Sequence, residues 1–295
     1  LVALAGVGCS SILGLEPDRY LVVADASTDG RAASDAGKGA DAQVDPWACL
    51  GQPVPGAGTK DPVGITLIVM DGLQPEISAG SVDGGSDLVT VSGTYLPGIT
   101  VQACDLLDPG CSMSPPTQVT DDGGRATFQL DTGFQGFFRM QGLVGGAPGV
   151  PVTLYTGTFL STDNDTSIPA YELSEDGLQI LAGSLVQTPL ALGPDAGAGH
   201  LLVNIYDCED HQASGVKVAY SNLGAEAQPF YMVGGIPSTT GTETDSYGLA
   251  GAINIPTGAQ TVTATLADKG TALGSTTVVV RPGEITWAWI RGRSQ

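Results

Sequence analysis

Positive charge is scarce: 11 Lys and Arg stand against 31 Asp and Glu, a formal net charge of −20 in 295 residues. An excess of that sign repels phosphate backbones and anionic head groups, so nucleic-acid binding and adsorption to acidic lipid are excluded as working roles. A basic partner or a divalent cation would be attracted, although the charge also keeps a secreted protein soluble and solvates its tail. Histidine is scarcer still, with only His200 and His211, and the chain has no G-x-S-x-G elbow, no H-E-x-x-H and no C-x-x-C. No catalytic residue, metal or cofactor is therefore expected, and the chain is read as something other than an enzyme. Long apolar runs are missing too, so nothing offers the about 20 consecutive residues of a membrane-spanning helix.

Two short stretches come nearest to a metal site and both fall short. Cys208-Glu209-Asp210-His211 supplies two ligands at a plausible spacing where zinc needs three or four, and it reads better as a turn with Cys208 oxidised. Asp163-Asn164-Asp165-Thr166-Ser167 alternates oxygen-bearing side chains, but Ile168 stands where a calcium loop requires Gly, so it reads as a solvated turn.

What is abundant is glycine and proline, 43 and 19 residues, with only 14% charged. That mixture describes a turn-rich, all-β chain of many short strands. In Thr244 to Gly258, Asp245 and Gly248 make a turn, after which Leu249, Gly251, Ile253 and Ile255 alternate with Ala250, Ala252 and Asn254 as a strand with one buried face requires. Thr120, Asp121, Gly124 and Ala126 repeat Thr244, Asp245, Gly248 and Ala250, so the module is expected twice. Further strands are expected at Ile65 to Met70, Ile99 to Cys104, Thr117 to Thr120, Arg125 to Leu130, Phe137 to Gln141 and Val152 to Leu160. The later ones are placed around Leu201 to Ile205, Val216 to Val218, Thr261 to Leu266, Thr276 to Arg281 and Glu284 to Ile290. Pro282-Gly283 suits a type II turn. Ser174 can cap a short helix with Glu175 and Asp176 in its first turn and Leu178, Leu181 and Leu185 on one face. The long connection from Ser221 to Thr242 is the least regular part of the second module and the place to expect a binding loop.

The T-D-x-x-G pattern, preceded by Gly98-Ile99-Thr100-Val101 in one copy and Gly215-Val216-Lys217-Val218 in the other, resembles carboxypeptidase regulatory-like domains and the related collagen-adhesin B-type repeats. The resemblance implies transthyretin-like sandwiches; the region from Asp87 to Pro97 and the Cys104 to Cys111 insertion depart from the plain pattern. It carries no peptidase activity, because the zinc-binding catalytic domain is not in this chain. Trp47-Ala48-Cys49-Leu50-Gly51 and Asp207-Cys208 also resemble a group of bacterial envelope lipoproteins, which implies fold and address rather than an activity. Some collagen-adhesin repeats carry a Lys-to-Asn isopeptide bond; Lys217, Asn204 and Asn254 lie on expected strands, but no acid can be placed beside them.

Leu1 to Gly8 reads as the end of a lipoprotein signal peptide, with Gly6 where such signals usually carry Leu, and Cys9 is the expected lipidation site. Four cysteines then remain. Cys104 and Cys111 flank a short Asp-Pro-Gly loop and make the easier pair; Cys49 and Cys208 would follow by elimination, a connectivity that sequence does not establish. Residues 10–46 should be a disordered acidic Ala/Asp/Gly tether with a reach of roughly 25–30 Å. The expected order is residues 1–9 as leader end and lipidation site and 10–46 as tether. A first sandwich at 47–168, a helical connector at 169–199 and a second, carboxypeptidase regulatory-like sandwich at 200–295 follow. The two sandwiches are antiparallel and separate, joined only by the connector.

Trp287 and Trp289 alternate on the last strand and share a face. Exposed, they would form a platform for sugar rings or a partner; buried, they are core. The expected function is a non-catalytic lipoprotein of the cell envelope, lipid-anchored at the outer membrane or cell surface, acting as a structural or protein-binding module toward an unidentified protein or glycan. The alternative is a carbohydrate-binding accessory protein using the Trp pair, and an enzyme ranks last.

Overall fold

A computed structural model describes residues 45–50, 62–79, 89–113, 115–131, 134–157, 166–186 and 189–292. Cys9, the tether as far as Val44, and the Asp163 to Asp165 turn lie outside the described residues. The first half holds β1 (Val63–Ala79), β2 (Val89–Tyr95), β3 (Thr100–Asp105), β4 (Thr117–Val119), β5 (Arg125–Leu130), β6 (Gly136–Gln141), β7 (Leu143–Val144), β8 (Ala147–Pro148), β9 (Val152–Tyr155) and β10 (Thr166–Glu172). After helix α1 (Glu175–Gly183) come β11 (Ala198–Tyr206), β12 (Val216–Tyr220), β13 (Gln228–Val233), β14 (Ile236–Ser238), β15 (Leu249–Pro256), β16 (Gly258–Leu266), β17 (Ala272–Val280) and β18 (Ile285–Arg291).

The protein is all-β and built as two sandwiches. In the first, a sheet ordered β10-β1-β2, with β5 also paired to β1, lies over β9-β6-β3-β4; in the second, β18-β11-β15-β13-β14 lies over β12-β16-β17. Strand β5 has the alternation its sequence demands, with Ala126, Phe128 and Leu130 buried and Arg125, Thr127 and Gln129 exposed. The small hairpin β7-β8 turns on Gly145 and Gly146.

The sandwiches are not separate bodies. Strand β9 at the edge of the first pairs in parallel with β18 at the edge of the second, Val152 opposite Ile285 and Tyr155 opposite Ala288. One nine-stranded sheet therefore runs through both halves, and three pairings, β1 with β10, β11 with β18 and β18 with β9, are parallel. The physical reason lies in β18, whose residues Ile285 to Ile290 are buried throughout. Ile285, Trp287 and Trp289 join the core shared with the first sandwich, while Ala288 and Ile290 join the core under β12-β16-β17. A strand apolar on both faces belongs inside a sheet and not at its margin.

Polar groups lock one end of this seam. Glu284 of the second sandwich takes the Arg139 guanidinium of the first at 2.5 Å, and Arg281 donates to Thr153 Oγ1 at 3.0 Å. The free ends of the long sheet are short strands with prolines: Pro116 precedes β4 and Pro237 sits within β14, which blunts both edges against further pairing.

Ser174 caps α1 through the Gly177 amide at 3.1 Å, with Glu175 and Asp176 in the first turn. Leu178, Leu181 and Ala182 are buried in the shared core and Leu185 packs against it. The helix gains its stability from that docking, since two glycines weaken it intrinsically.

Four expectations are corrected. The first sandwich does not end at residue 168, because β10 continues through Glu172. The segment at Trp47 does not open the first sandwich but packs on the second, against Gly292. Strand β15 is buried on both faces, because it lies between β11 and β13 with cores on either side. The Ser221 to Thr242 connection contains β13 and β14, where Phe230 and Met232 anchor the strand in the shared core.

Candidate functional site

Both turns of the repeated motif are built from the same hydrogen bonds. Thr120 Oγ1 accepts from the Ile99 amide at 2.9 Å and donates to Leu96 O at 2.6 Å; Thr244 Oγ1 accepts from the Val216 amide at 3.1 Å and donates to Ala213 O at 2.7 Å. Gly124 and Gly248 both have positive φ, 68° and 56°, and a Cβ there would stand 2.5 Å from Val69 O and 2.7 Å from Ile205 O. The motif is thus a corner that closes each sandwich, and its repeated chemistry is spent on folding.

The cysteines form two disulfides, Cys49–Cys208 and Cys104–Cys111. The first joins positions 159 residues apart and clasps the segment 45–50 to the C-terminal ends of β11 and β18: the Cys208 amide donates to Pro46 O at 3.0 Å, and Trp47 lies against Gly292. The second holds the loop after β3, so that Cys104 and Cys111 lie at the core beneath β12-β16-β17.

The tryptophan pair is buried, Trp287 at 3% and Trp289 at 6% exposure, so it offers no platform for a sugar ring. Trp287 stacks on Tyr171 at 5.5 Å and donates its indole N–H to Asn204 Oδ1; Trp289 meets Tyr206 edge-on at 5.2 Å. Arg291 lies over Trp289 at 5.3 Å and pairs with Asp210 at 3.2 Å. The cavity among these rings measures about 20 Å³, room for one water and no more.

His200 does not face solvent: it is 1% exposed, because β11 lies between β15 and β18 from its first residues, and burial pushes its pKa down to about 4. His211 is exposed, 3.7 Å from Asp207 and 3.6 Å from Glu209. Asn204 is committed to Trp287 while Lys217 is exposed on β12 and Asn254 is half-buried, so the isopeptide partners are not brought together. Sequence reasoning did not single out Glu172, fully buried, with neither carboxylate oxygen hydrogen-bonded among the described residues; burial raises its pKa to about 8. Among the described residues no group of three or more His, Cys, Asp or Glu is placed to hold a metal ion.

The larger concavity, about 410 Å³, opens at the end of the first sandwich beside the Cys104–Cys111 loop. Its walls include Pro115, Pro116, Leu130 and Phe134, and Asp105, Asp108 and Asp131 also line it. A Cβ at Gly136 would stand 2.2 Å from the Phe134 ring, so glycine there lets the ring lie across the concavity's floor. The Met113 amide, helped by Ser112, holds the Asp108 carboxyl below the usual carboxylate range. That volume falls within the roughly 300–1,000 Å³ of ligand clefts, where the aromatic cavity does not.

No protein-family model matches the chain, and no curated protein matches it. Among solved structures, it is similar to the shaft pilin SpaA of Lactobacillus rhamnosus GG, at 11% identity over 79% of this chain and 98% of that one, with a TM-score of 0.24. The minor pilin GBS52 of Streptococcus agalactiae gives 14% identity over 79% and 96%, with a TM-score of 0.23. The Bacillus anthracis TIE protein gives 15% identity and a TM-score of 0.23; the match covers 78% of this chain and 34% of that protein. Superpositions this loose carry no argument about fold or function.

Proposed function

We propose that the chain is a non-catalytic module of the cell envelope, carried outside the cytoplasm on a lipid anchor at Cys9 and an acidic tether, and serving as a structural or protein-binding β-body. The carrying observation is the Cys49–Cys208 clasp. Disulfides persist in oxidising compartments, and this one stands where the tether would meet the folded part, fixing that junction to the middle of the long sheet. The fused sheet and the proline-blunted edges support a body that holds its shape and stays apart from its copies. The burial of Trp287 and Trp289 removes the surface on which the sugar-binding alternative depended.

The test has two arms. Thiol alkylation followed by mass analysis of protein taken from intact envelopes should find Cys49, Cys104, Cys111 and Cys208 protected until reduction; free thiols at all four would place the protein in a reducing compartment. Labelled palmitate should enter the wild type and not Cys9→Ser, and incorporation that survives the substitution would remove the anchor.

A further inference from the structure

We propose that the end of the first sandwich around the Cys104–Cys111 loop is a docking surface for a cationic protein segment with an aliphatic anchor; this deepens the protein-binding reading above and rests on it. Large apolar side chains are exposed here together: Leu107 at 89%, Met113 at 71% and Leu106 at 43%. A solvent-facing cluster of that kind marks a contact surface more often than a lone exposed leucine does. Met113 also lines the 410 Å³ concavity together with Pro115, Pro116, Leu130 and Phe134, so one of the three exposed side chains borders a space that could receive a side chain.

Charge selects the occupant. Asp105, Asp108 and Asp131 line the concavity, and among the described residues no Lys or Arg does. A second copy would bring the same acidic lining and a like net charge of −20, and an anionic bilayer would be repelled for the same reason. A Lys- or Arg-bearing segment gains attraction at the three carboxylates while its aliphatic residue covers Leu107 and Met113. The surface is preorganised for this. The disulfide closes the loop, and Asp108 accepts from the Ser112 and Met113 amides at 2.6 and 2.8 Å, so little ordering remains to be done on binding.

The probe is a labelled synthetic peptide in which Leu and Lys recur, titrated with the full chain and read by fluorescence anisotropy, beside one control with Glu for Lys and another with Ser for Leu. The expected result is binding of the Leu/Lys peptide alone, weakened by about tenfold or more in Leu107→Ser with Met113→Ser and in Asp131→Asn, and falling as salt rises. These side chains are exposed, so unchanged melting temperatures establish that the variants fold. Equal affinity for the Ser control, or variants that bind as well as wild type, would overturn the proposal. Sedimentation with phosphatidylcholine vesicles that is lost in Leu107→Ser would overturn it in favour of lipid. If the variants still cross-link in the envelope to the same neighbour as wild type, this surface is wrong while the protein-binding reading stands.

Discussion

The two copies of the Thr-Asp-x-x-Gly corner share their threonine bonds and differ at the aspartate, where Asp121 accepts from the Arg125 amide and Asp245 from that of Gly234, yet the larger difference is the fate of the strands beside them. Val69 and Ile205 donate to Gly124 O and Gly248 O at the same 2.8 Å, and β10 pairs in parallel with β1 as β18 does with β11. In the first copy β10 ends its sheet; in the second β18 has β9 on its far side. The registers align Pro169, opposite Ile68, with Trp289, opposite Asn204. β9 pairs with Ile285 to Ala288, short of Trp289; β18 accepts it because both of its faces are buried, whereas β10 leaves Ser167 exposed and Thr166, Pro169 and Tyr171 half-buried. The shared corner specifies the sandwich; the burial of the outer strand's two faces decides whether it fuses.

The sharpest way to break this comparison is to exchange the fates. Ala288→Pro should remove a ladder bond inside the long sheet and cost about 3 kcal/mol or more, whereas Pro169→Ala should stay within about 1 kcal/mol of wild type by urea titration. Equal effects would refute the assignment of β18 as interior and β10 as edge. The two staples come next. Losing Cys49–Cys208 by paired Ser substitution should cost up to about 4–5 kcal/mol on the chain-entropy estimate, against about 2–3 for Cys104–Cys111, because the closed loops differ so much in length.

The corners themselves should respond alike: Gly124→Ala and Gly248→Ala each place a Cβ against a carbonyl oxygen at positive φ, for a loss of roughly 2–4 kcal/mol in chemical denaturation. A much milder Gly124→Ala would show that the first corner is the looser one. The gentlest test is pH. Glu172 is raised from 4.5 to about 8, so its contribution is complete below about pH 4.5 and is lost as pH climbs toward 8. His200, lowered from 6.5 to about 4, acts oppositely, favouring the fold above 6.5 and losing that as pH falls toward 4. Glu172→Gln should therefore match wild type near pH 4.5 and melt higher at pH 8, and equal melting at both would mean that Glu172 is ionised in the fold.

Much of this was legible beforehand, for local reasons. The corner motif, the β5 alternation, the capped helix at Ser174 and the Cys104–Cys111 pair depend on neighbours in sequence, whereas Cys49–Cys208, 159 residues apart, was reached only by elimination. The seam between β9 and β18 was not legible, because a parallel pairing leaves no hairpin or turn to announce it. Its signal was the sequence Ile285 to Ile290, in which both alternating faces are apolar, a pattern that one shared tryptophan face had obscured. The burial of His200 was hidden for a like reason, since a histidine at a strand start looks exposed until the strand acquires neighbours on both sides. The Leu107 and Met113 surface was hidden in an insertion that departs from the repeat, where periodicity has nothing to say.

The Cys49–Cys208 bond closes one covalent ring around the whole first sandwich and the connector. A protease that cuts once anywhere within that ring opens the chain without parting it, so the nicked protein would keep both pieces until a reductant released them. Intactness judged without reducing agent would therefore overstate how much of this protein survives uncut.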